Sequence, residues 1–360
     1  MSPKTSPDAP RTGRGRAAAL LAAGLVLLAA ALPGSAATVT CPPATAAASA
    51  PAPASAPCAA SSRGIPACGV LVGAAVGGNS DPAPLETALG KTLQIRRTFW
   101  GPNGVDKAVT AARQDISAGR IPWLSFKLPY DWRRMADGDG DAWASSLVDR
   151  LAALRGPVWI AFHHEPEGDG QIGDWVAMQR HLAPMVHQGS QNVAFTMILT
   201  GWHQFHGDPQ FSLGALWPGD GMVDLLGFDI YNEFGSLKDG QANTTMLDLG
   251  QTYFPQISAF AGAHHTAWGL AETGLTDDAA TADPGWLEQS YTAMRRTGGV
   301  AFTYFDSSLN SNGNSWELGS GTKRNEFQAI LDQAAAPQQP GQSAAPVPAT
   351  CSPTANRAHP

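Results

Sequence analysis

The sequence predicts a (β/α)8 TIM barrel: a single α/β domain with Ala/Pro-rich tails. Three observations support this. Short apolar strands alternate with helical patterns eight times along the chain. The strands are almost continuously apolar, as in a parallel sheet covered by helices on its outer face. The segment carrying this pattern, 67–335, is about 270 residues long, close to the ~250 of a typical barrel of this kind.

The first strand is expected over 69–76, followed by a helix over 82–90. The second spans 93–99. In the helix after it, 103–119, Val105, Ala108, Ala112 and Ile116 keep helical spacing. The next units pair 121–126 with 141–154 and 158–163 with 172–187. The fifth strand, 193–199, leads into 203–221, which holds Gly and Pro and reads as a loop. The last units pair 223–230 with 244–262, 266–271 with 284–296, and 300–305 with 323–334. A doubly wound open sheet is the alternative the same alternation allows.

The ends read differently. Arg11, Arg14 and Arg16 precede an apolar run from Ala17 to Leu32, and Pro33-Gly34-Ser35-Ala36-Ala37 adds a turn and small residues. This is the layout of a secretory signal, expected over 1–37. The apolar run is shorter than the ~20 residues a membrane span needs. No stable span is expected in the mature protein, which should be secreted and extracellular. Residues 38–66 are rich in Ala, Pro and Ser, and 336–360 in Pro, Ala and Gln, so they read as linker and tail.

The four cysteines are Cys41, Cys58, Cys68 and Cys351, and no CxxC pair occurs. In an exported chain they allow two disulfides. Cys68 precedes the first strand and Cys351 follows the last helix, so a Cys68–Cys351 bridge and a local Cys41–Cys58 bridge are expected. The residues before Cys41, Thr38-Val39-Thr40, do not resemble a lipobox.

The net charge is −7, and basic residues form no cluster beyond the leader, which excludes a nucleic-acid footprint. With 15% charged residues and 11 Trp, the chain suits a neutral ligand with apolar faces, such as a sugar.

Barrel active sites lie at the C-terminal ends of the strands, so the residues closing each strand are read first. These are Arg96-Arg97 on the second, Lys127 on the third and His163-His164-Glu165-Pro166-Glu167 on the fourth. Trp202-His203 follow the fifth, Asp229-Ile230-Tyr231-Asn232 close the sixth, Glu272 the seventh and Asp306 the eighth. Glu165 and Glu272 stand across the barrel mouth from one another. Two facing carboxyls are what glycosidic cleavage requires, one to protonate the leaving oxygen and one to attack or to activate water. Trp100, Tyr130, Trp132, Trp175, Trp202, Trp217 and Trp316 fall on the same side, where rings can stack on sugar faces. Trp123, Trp159 and Trp268 lie within strands and suit the core.

His164-Glu165, Phe228-Asp229-Ile230-Tyr231 and Ala271-Glu272-Thr273-Gly274, with Leu216-Trp217-Pro218-Gly219-Asp220, resemble glycoside hydrolase family 26. The likeness covers most of 67–335. It implies a retaining (β/α)8 hydrolase with Glu165 as acid/base and Glu272 as nucleophile. It further implies that Tyr231 supports the nucleophile and that His164 lies beside the acid/base. Arg97, Lys127, Trp202, Trp175 and Phe305 complete the expected substrate-binding set. The implied substrate is a β-linked polysaccharide, β-1,4-mannan before mixed-linkage β-glucan or xylan. Aromatics spread over the loops after strands 2, 3, 4, 5 and 8 suit a long cleft and an internal cut, and a monomer without a metal or other cofactor is expected. Two features depart from the family. Pro166-Glu167-Gly168-Asp169-Gly170 stands where an aromatic segment is usual, and Tyr304-Phe305-Asp306 replaces a strand-eight Trp.

Other readings compete with parts of this one. Glu167 is a rival acid/base two residues from Glu165. A non-catalytic sugar-binding barrel would not need both glutamates. A metal-dependent hydrolase could recruit His163, His164, His203 and His206. Asp137, Asp139 and Asp141 open like a calcium loop, but Ala142 and Val148 occupy the positions where that loop needs Gly and Glu. His264-His265 precede the seventh strand, at the face away from the site.

Overall fold

The computed structural model describes residues 59–309 and 314–334. The expected leader, most of the linker and the tail lie outside these residues. So do Cys41, Cys58 and Cys351, and with them the two expected pairings.

Eight parallel strands close into a barrel. They are β1 (Leu71–Val76), β2 (Ile95–Trp100), β3 (Ile121–Phe126), β4 (Val158–Phe162), β5 (Val193–Leu199), β6 (Leu225–Asn232), β7 (Ala267–Leu275) and β8 (Ala301–Asp306). Each strand pairs with its sequence neighbours, and β8 returns to β1. Closure excludes the doubly wound open sheet.

Successive residues of each strand point alternately into the barrel and out to the helices. Leu71, Ile95, Trp123, Trp159, Ala194, Ile198, Leu225 and Ala301 fill the interior. Their outward neighbours, among them Val72, Leu124, Ile160, Phe195, Leu226 and Phe302, join the larger cluster beneath the helices. Gly73 is required by close approach, since a Cβ there would lie 2.2 Å from the Ile95 carbonyl oxygen. Arg96 and Arg97 therefore part company. Arg96 turns out to Asp115 of helix Val105–Ser117, and Arg97 turns in.

Three features differ from the pattern read in the sequence. The fifth connection is helical but broken, with helices Trp202–His206 and Leu213–Leu216 separated by a turn of 3-10 helix at Pro209–Phe211. Gly207 and Pro209 interrupt it, and Asp208 and Ser212 cap the pieces by accepting from Gln210 N and Ala215 N. A helix at Trp132–Ala136 is inserted after β3. The end of the expected linker belongs to the barrel: Arg63 pairs with Asp224 at 3.0 Å, and its carbonyl accepts from the Trp159 indole at 2.9 Å. Ile65 packs on the interior cluster, so residues 59–66 lie against the N-terminal end of the strands.

Among the described residues, no helix is long and apolar enough to cross a membrane.

Candidate active site

At the C-terminal mouth, a cavity of about 540 Å³ is lined by His164, Glu165, Glu272, Lys127, Phe99, Trp100, Asn79 and Phe305, with parts of the loops after β1 and β8. Both sequence-predicted carboxylates face it.

Glu272 reaches the cavity through a bulge. Phe228 of β6 pairs with Leu270, but Asp229 pairs with Glu272, leaving Ala271 as an extra residue in β7. The β8 side shows the same shift, since Phe302 pairs with Leu270 and Tyr304 with Thr273. Strict alternation would turn Glu272 away from Ala271. The bulge points both inward, a common way of re-aiming a side chain beside an active site. There the Tyr231 hydroxyl donates to Glu272 Oε2 at 2.7 Å, and Arg97 Nη2 lies 3.4 Å from Oε1. Burial and the neighbouring Glu272 charge push the Tyr231 hydroxyl well above its ordinary range, so it stays protonated and remains a donor.

Glu165 follows β4 on a strained turn. His163 and Glu165 both have left-handed backbone, φ 55° and 49°. Hydrogen bonds from His163 N to Phe126 O at 2.9 Å and from Glu165 N to Ile198 O at 3.0 Å hold the turn. Strain of this kind, held by its surroundings, is common at functional sites. Burial first, then the Glu272 and Glu167 charges, raise the Glu165 carboxyl from the ordinary 4.5 to about 7, against the pull of Arg97 and Lys127. His164 lines the cavity beside Phe99, with ring centroids 5.5 Å apart. Burial and the Arg97 charge lower its imidazole well below the ordinary value, so it is neutral.

Below Glu272, Arg97 is fully buried, with its guanidinium 4.4 Å from the Phe99 ring centroid. Beside it, Asp229 is 3% exposed, and neither carboxyl oxygen has a hydrogen-bond partner. Burial and the Glu272 and Glu165 charges push the Asp229 carboxyl well above its ordinary value, which favours its protonated form. Two-residue spacing from Tyr231 was the signal that Asp229 also faces in. Asn79 escaped sequence reading as well. It clamps the loop after β1 to β2 by donating to Phe99 O at 2.6 Å and accepting from Phe99 N at 2.9 Å.

The remaining expected binding residues divide. Lys127 and Phe305 line the cavity. Lys127 also lies 3.2 Å from both Asp169 and His163, and Phe305 packs edge-on to Tyr231 at 5.9 Å. Trp202 is 55% exposed on the β5 side and does not line the cavity. Trp175 is a correction: it is fully buried, and its indole donates to His163 O at 3.0 Å, so it braces the acid/base turn from behind. Trp175→Ala should therefore cost about 3–5 kcal/mol of stability. Chemical denaturation measures this, and an unchanged midpoint would contradict the core placement. Trp316, from the segment after β8, lies 5.0 Å from the Tyr231 ring, next to the position left without a Trp in strand eight.

The rival Glu167 points elsewhere. Its Oε1 accepts from Thr200 N at 3.2 Å and from the Gln204 amide. Asp137, Asp139 and Asp141 pair with Arg133, Arg134 and His181 respectively. Among the described residues, no three His, Cys, Asp or Glu side chains are grouped to hold a metal ion. His264 bonds Asp220 at 2.6 Å, outside the cavity.

Similarity to solved structures lies in the fold. A GH26 β-mannanase from Bacteroides ovatus superposes with a TM-score of 0.51 at 15% identity, covering 73% of this chain and 88% of that one. An exo-β-1,4-mannosidase from Opitutaceae bacterium strain TAV5 gives 0.56 at 13% identity, covering 78% and 62%. Thermotoga maritima Cel5A, solved with cellobiose, gives 0.55 at 10% identity, covering 73% and 96%. The chain shares with these proteins the (β/α)8 barrel fold. No protein-family model and no curated protein sequence matches it.

Proposed function

We propose that this chain is a secreted, monomeric, retaining β-glycoside hydrolase that cuts a β-linked polysaccharide internally. Glu165 is the acid/base and Glu272 the nucleophile. The observation that carries this reading is the contrast between the two carboxyls lining one cavity. Glu165 is held protonated up to about neutral pH, mainly by burial. Glu272 receives a Tyr231 hydroxyl and an Arg97 guanidinium, contacts that suit a carboxylate. Environments that separate two carboxyls in this way assign acid and nucleophile.

Glu165 would donate its proton to the glycosidic oxygen while Glu272 attacks the anomeric carbon. Once Glu272 is esterified, the charge that helped raise Glu165 is gone. Glu165 then becomes the base that deprotonates the hydrolytic water. The buried Arg97 guanidinium offsets the Glu272 charge without competing for the substrate.

Two neighbours are named for mannan or mannoside cleavage, which favours β-1,4-mannan first; the resemblance in the sequence puts mixed-linkage β-glucan and xylan next. Digestion of all three, followed by proton NMR, tests the reading. A β-anomer appearing first, within mixed oligosaccharides, is expected. An α-anomer appearing first overturns retention. Release of one mono- or disaccharide alone overturns internal cleavage. Inactivity on all three removes this substrate set.

A further inference from the structure

The cavity is built by Glu272 within β7 and by the C-terminal ends of β1, β2, β3, β4 and β8 with the loops after them, and no residue of the β5 or β6 loops lines it. If the reading above holds, the sugar attacked by Glu272 occupies that cavity. The departing sugar must then leave past Glu165, toward β5. The segment waiting there is Thr200–His206. Gly201 has φ 77°, and a Cβ on it would meet Ile230 Cγ1 at 2.5 Å, so the backbone turns sharply at this point. The turn delivers Trp202, an exposed indole on the short helix Trp202–His206, with the His203 ring edge-on at 5.2 Å.

One side chain ties this segment to the acid/base turn. Glu167 lies two residues beyond Glu165, yet accepts from Thr200 N at 3.2 Å and from the Gln204 side chain, which also donates to Phe211 O at 3.2 Å. His203 closes the same knot through Thr200 Oγ1 at 2.8 Å. Glu167 Oε2 is buried without a partner, so the carboxylate stands against the desolvation cost of half its acceptors.

We infer that Glu167 is a positioning residue that latches the Thr200–His206 segment to the Glu165 turn, and that Trp202, so held, is the platform for the leaving-group sugar. This rests on the glycosidase reading. An indole face at that place offers stacking to any hexopyranose or pentopyranose ring, while the cavity side selects the sugar that is cleaved. The Glu167 charge also acts on Glu165, alongside Glu272 from β7, Arg97 from β2 and Lys127 from β3, while the buried Asp229 carboxyl of β6 faces the same group.

The test uses Trp202→Ala, Glu167→Ala and Glu167→Gln in the full chain. Two kinds of substrate are compared: a β-1,4-linked tetrasaccharide and the corresponding disaccharide β-fluoride, in the manno-, gluco- and xylo-series. A fluoride leaving group occupies no sugar subsite. Trp202→Ala and Glu167→Ala should raise KM for the tetrasaccharide at least ten-fold more than for the fluoride. Glu167→Gln keeps an oxygen acceptor for Thr200, so its tetrasaccharide KM should stay within a few-fold, while the alkaline limb of kcat/KM moves to lower pH. Equal losses on both substrates for Trp202→Ala overturn the platform. An alkaline limb that does not move in Glu167→Gln overturns the coupling to Glu165. Hydrogen exchange supplies an arm that needs no activity. Exchange over 200–206 should accelerate in Glu167→Ala, and unchanged exchange there overturns the latch. A wild-type protein inactive on every pair sinks the glycosidase reading and the platform with it, leaving the latch to be judged by exchange alone.

Discussion

Glu272→Ala will lose on the order of 10⁴-fold or more in kcat on polysaccharide, equivalent to ~5 kcal/mol of barrel-held transition-state stabilisation. The loss is large because no other side chain can take its place. Tyr231 and Arg97 hold the nucleophile but cannot attack, and Asp229 is buried and does not line the cavity. Azide added to this variant should enter the vacated space on the α face of an activated β-glycoside and yield an α-glycosyl azide. A second consequence is electrostatic. The Glu272 charge is the second cause, after burial, of the raised Glu165 carboxyl, so Glu165 should titrate lower in the variant. Steady-state kinetics and carboxyl-labelled NMR read the two effects. Retention of near wild-type turnover would remove Glu272 from the mechanism.

Much of this site was legible in the chain because parallel barrel strands are buried on both faces. Such strands appear as short apolar runs, and a polar residue ending one must lie at the mouth. That logic located Glu165, Glu272, Arg97, Lys127 and Tyr231. The β7 bulge was not legible, since Ala271 carries no mark distinguishing an extra residue from an alternating one. The fifth connection hid for a different reason. Gly207 and Pro209 divide it into helices too short for a 3.6-residue period to emerge. Trp175 was misread although the signal was present. Ile172, Trp175, Val176 and Gln179 are spaced as one buried helical stripe, which placed the indole in the core. Glu167 could be read only in three dimensions, because its partners belong to the next βα unit.

Glu165→Ala should lower turnover of polysaccharide by about 10²–10⁴-fold, the usual contribution of a general acid to a poor leaving group. Substrates with good leaving groups should still form the glycosyl–Glu272 ester, which then accumulates because no base remains to activate water. Azide needs no base. Its attack on the anomeric carbon displaces the Glu272 carboxylate and gives a β-glycosyl azide, the opposite anomer to that from Glu272→Ala. If Glu167→Ala rather than Glu165→Ala shows this rescue, the acid/base assignment passes to Glu167. The pH dependence follows from the same carboxyl. Glu165 must be protonated to act as the acid, so wild-type kcat/KM should hold below pH about 7 and fall as pH rises through it. Stability moves in the same sense. Between the ordinary 4.5 and about 7, the unfolded chain has released this proton while the folded chain keeps it. Folding stability therefore declines across that window, by at most about 3 kcal/mol from this one group. Glu165→Gln has no proton to release and should be free of that decline. Its denaturation midpoint should gain on the wild type as pH is raised from 4.5 to 7. Parallel stability curves for the two proteins would mean that Glu165 titrates as an ordinary carboxylate and is not the acid.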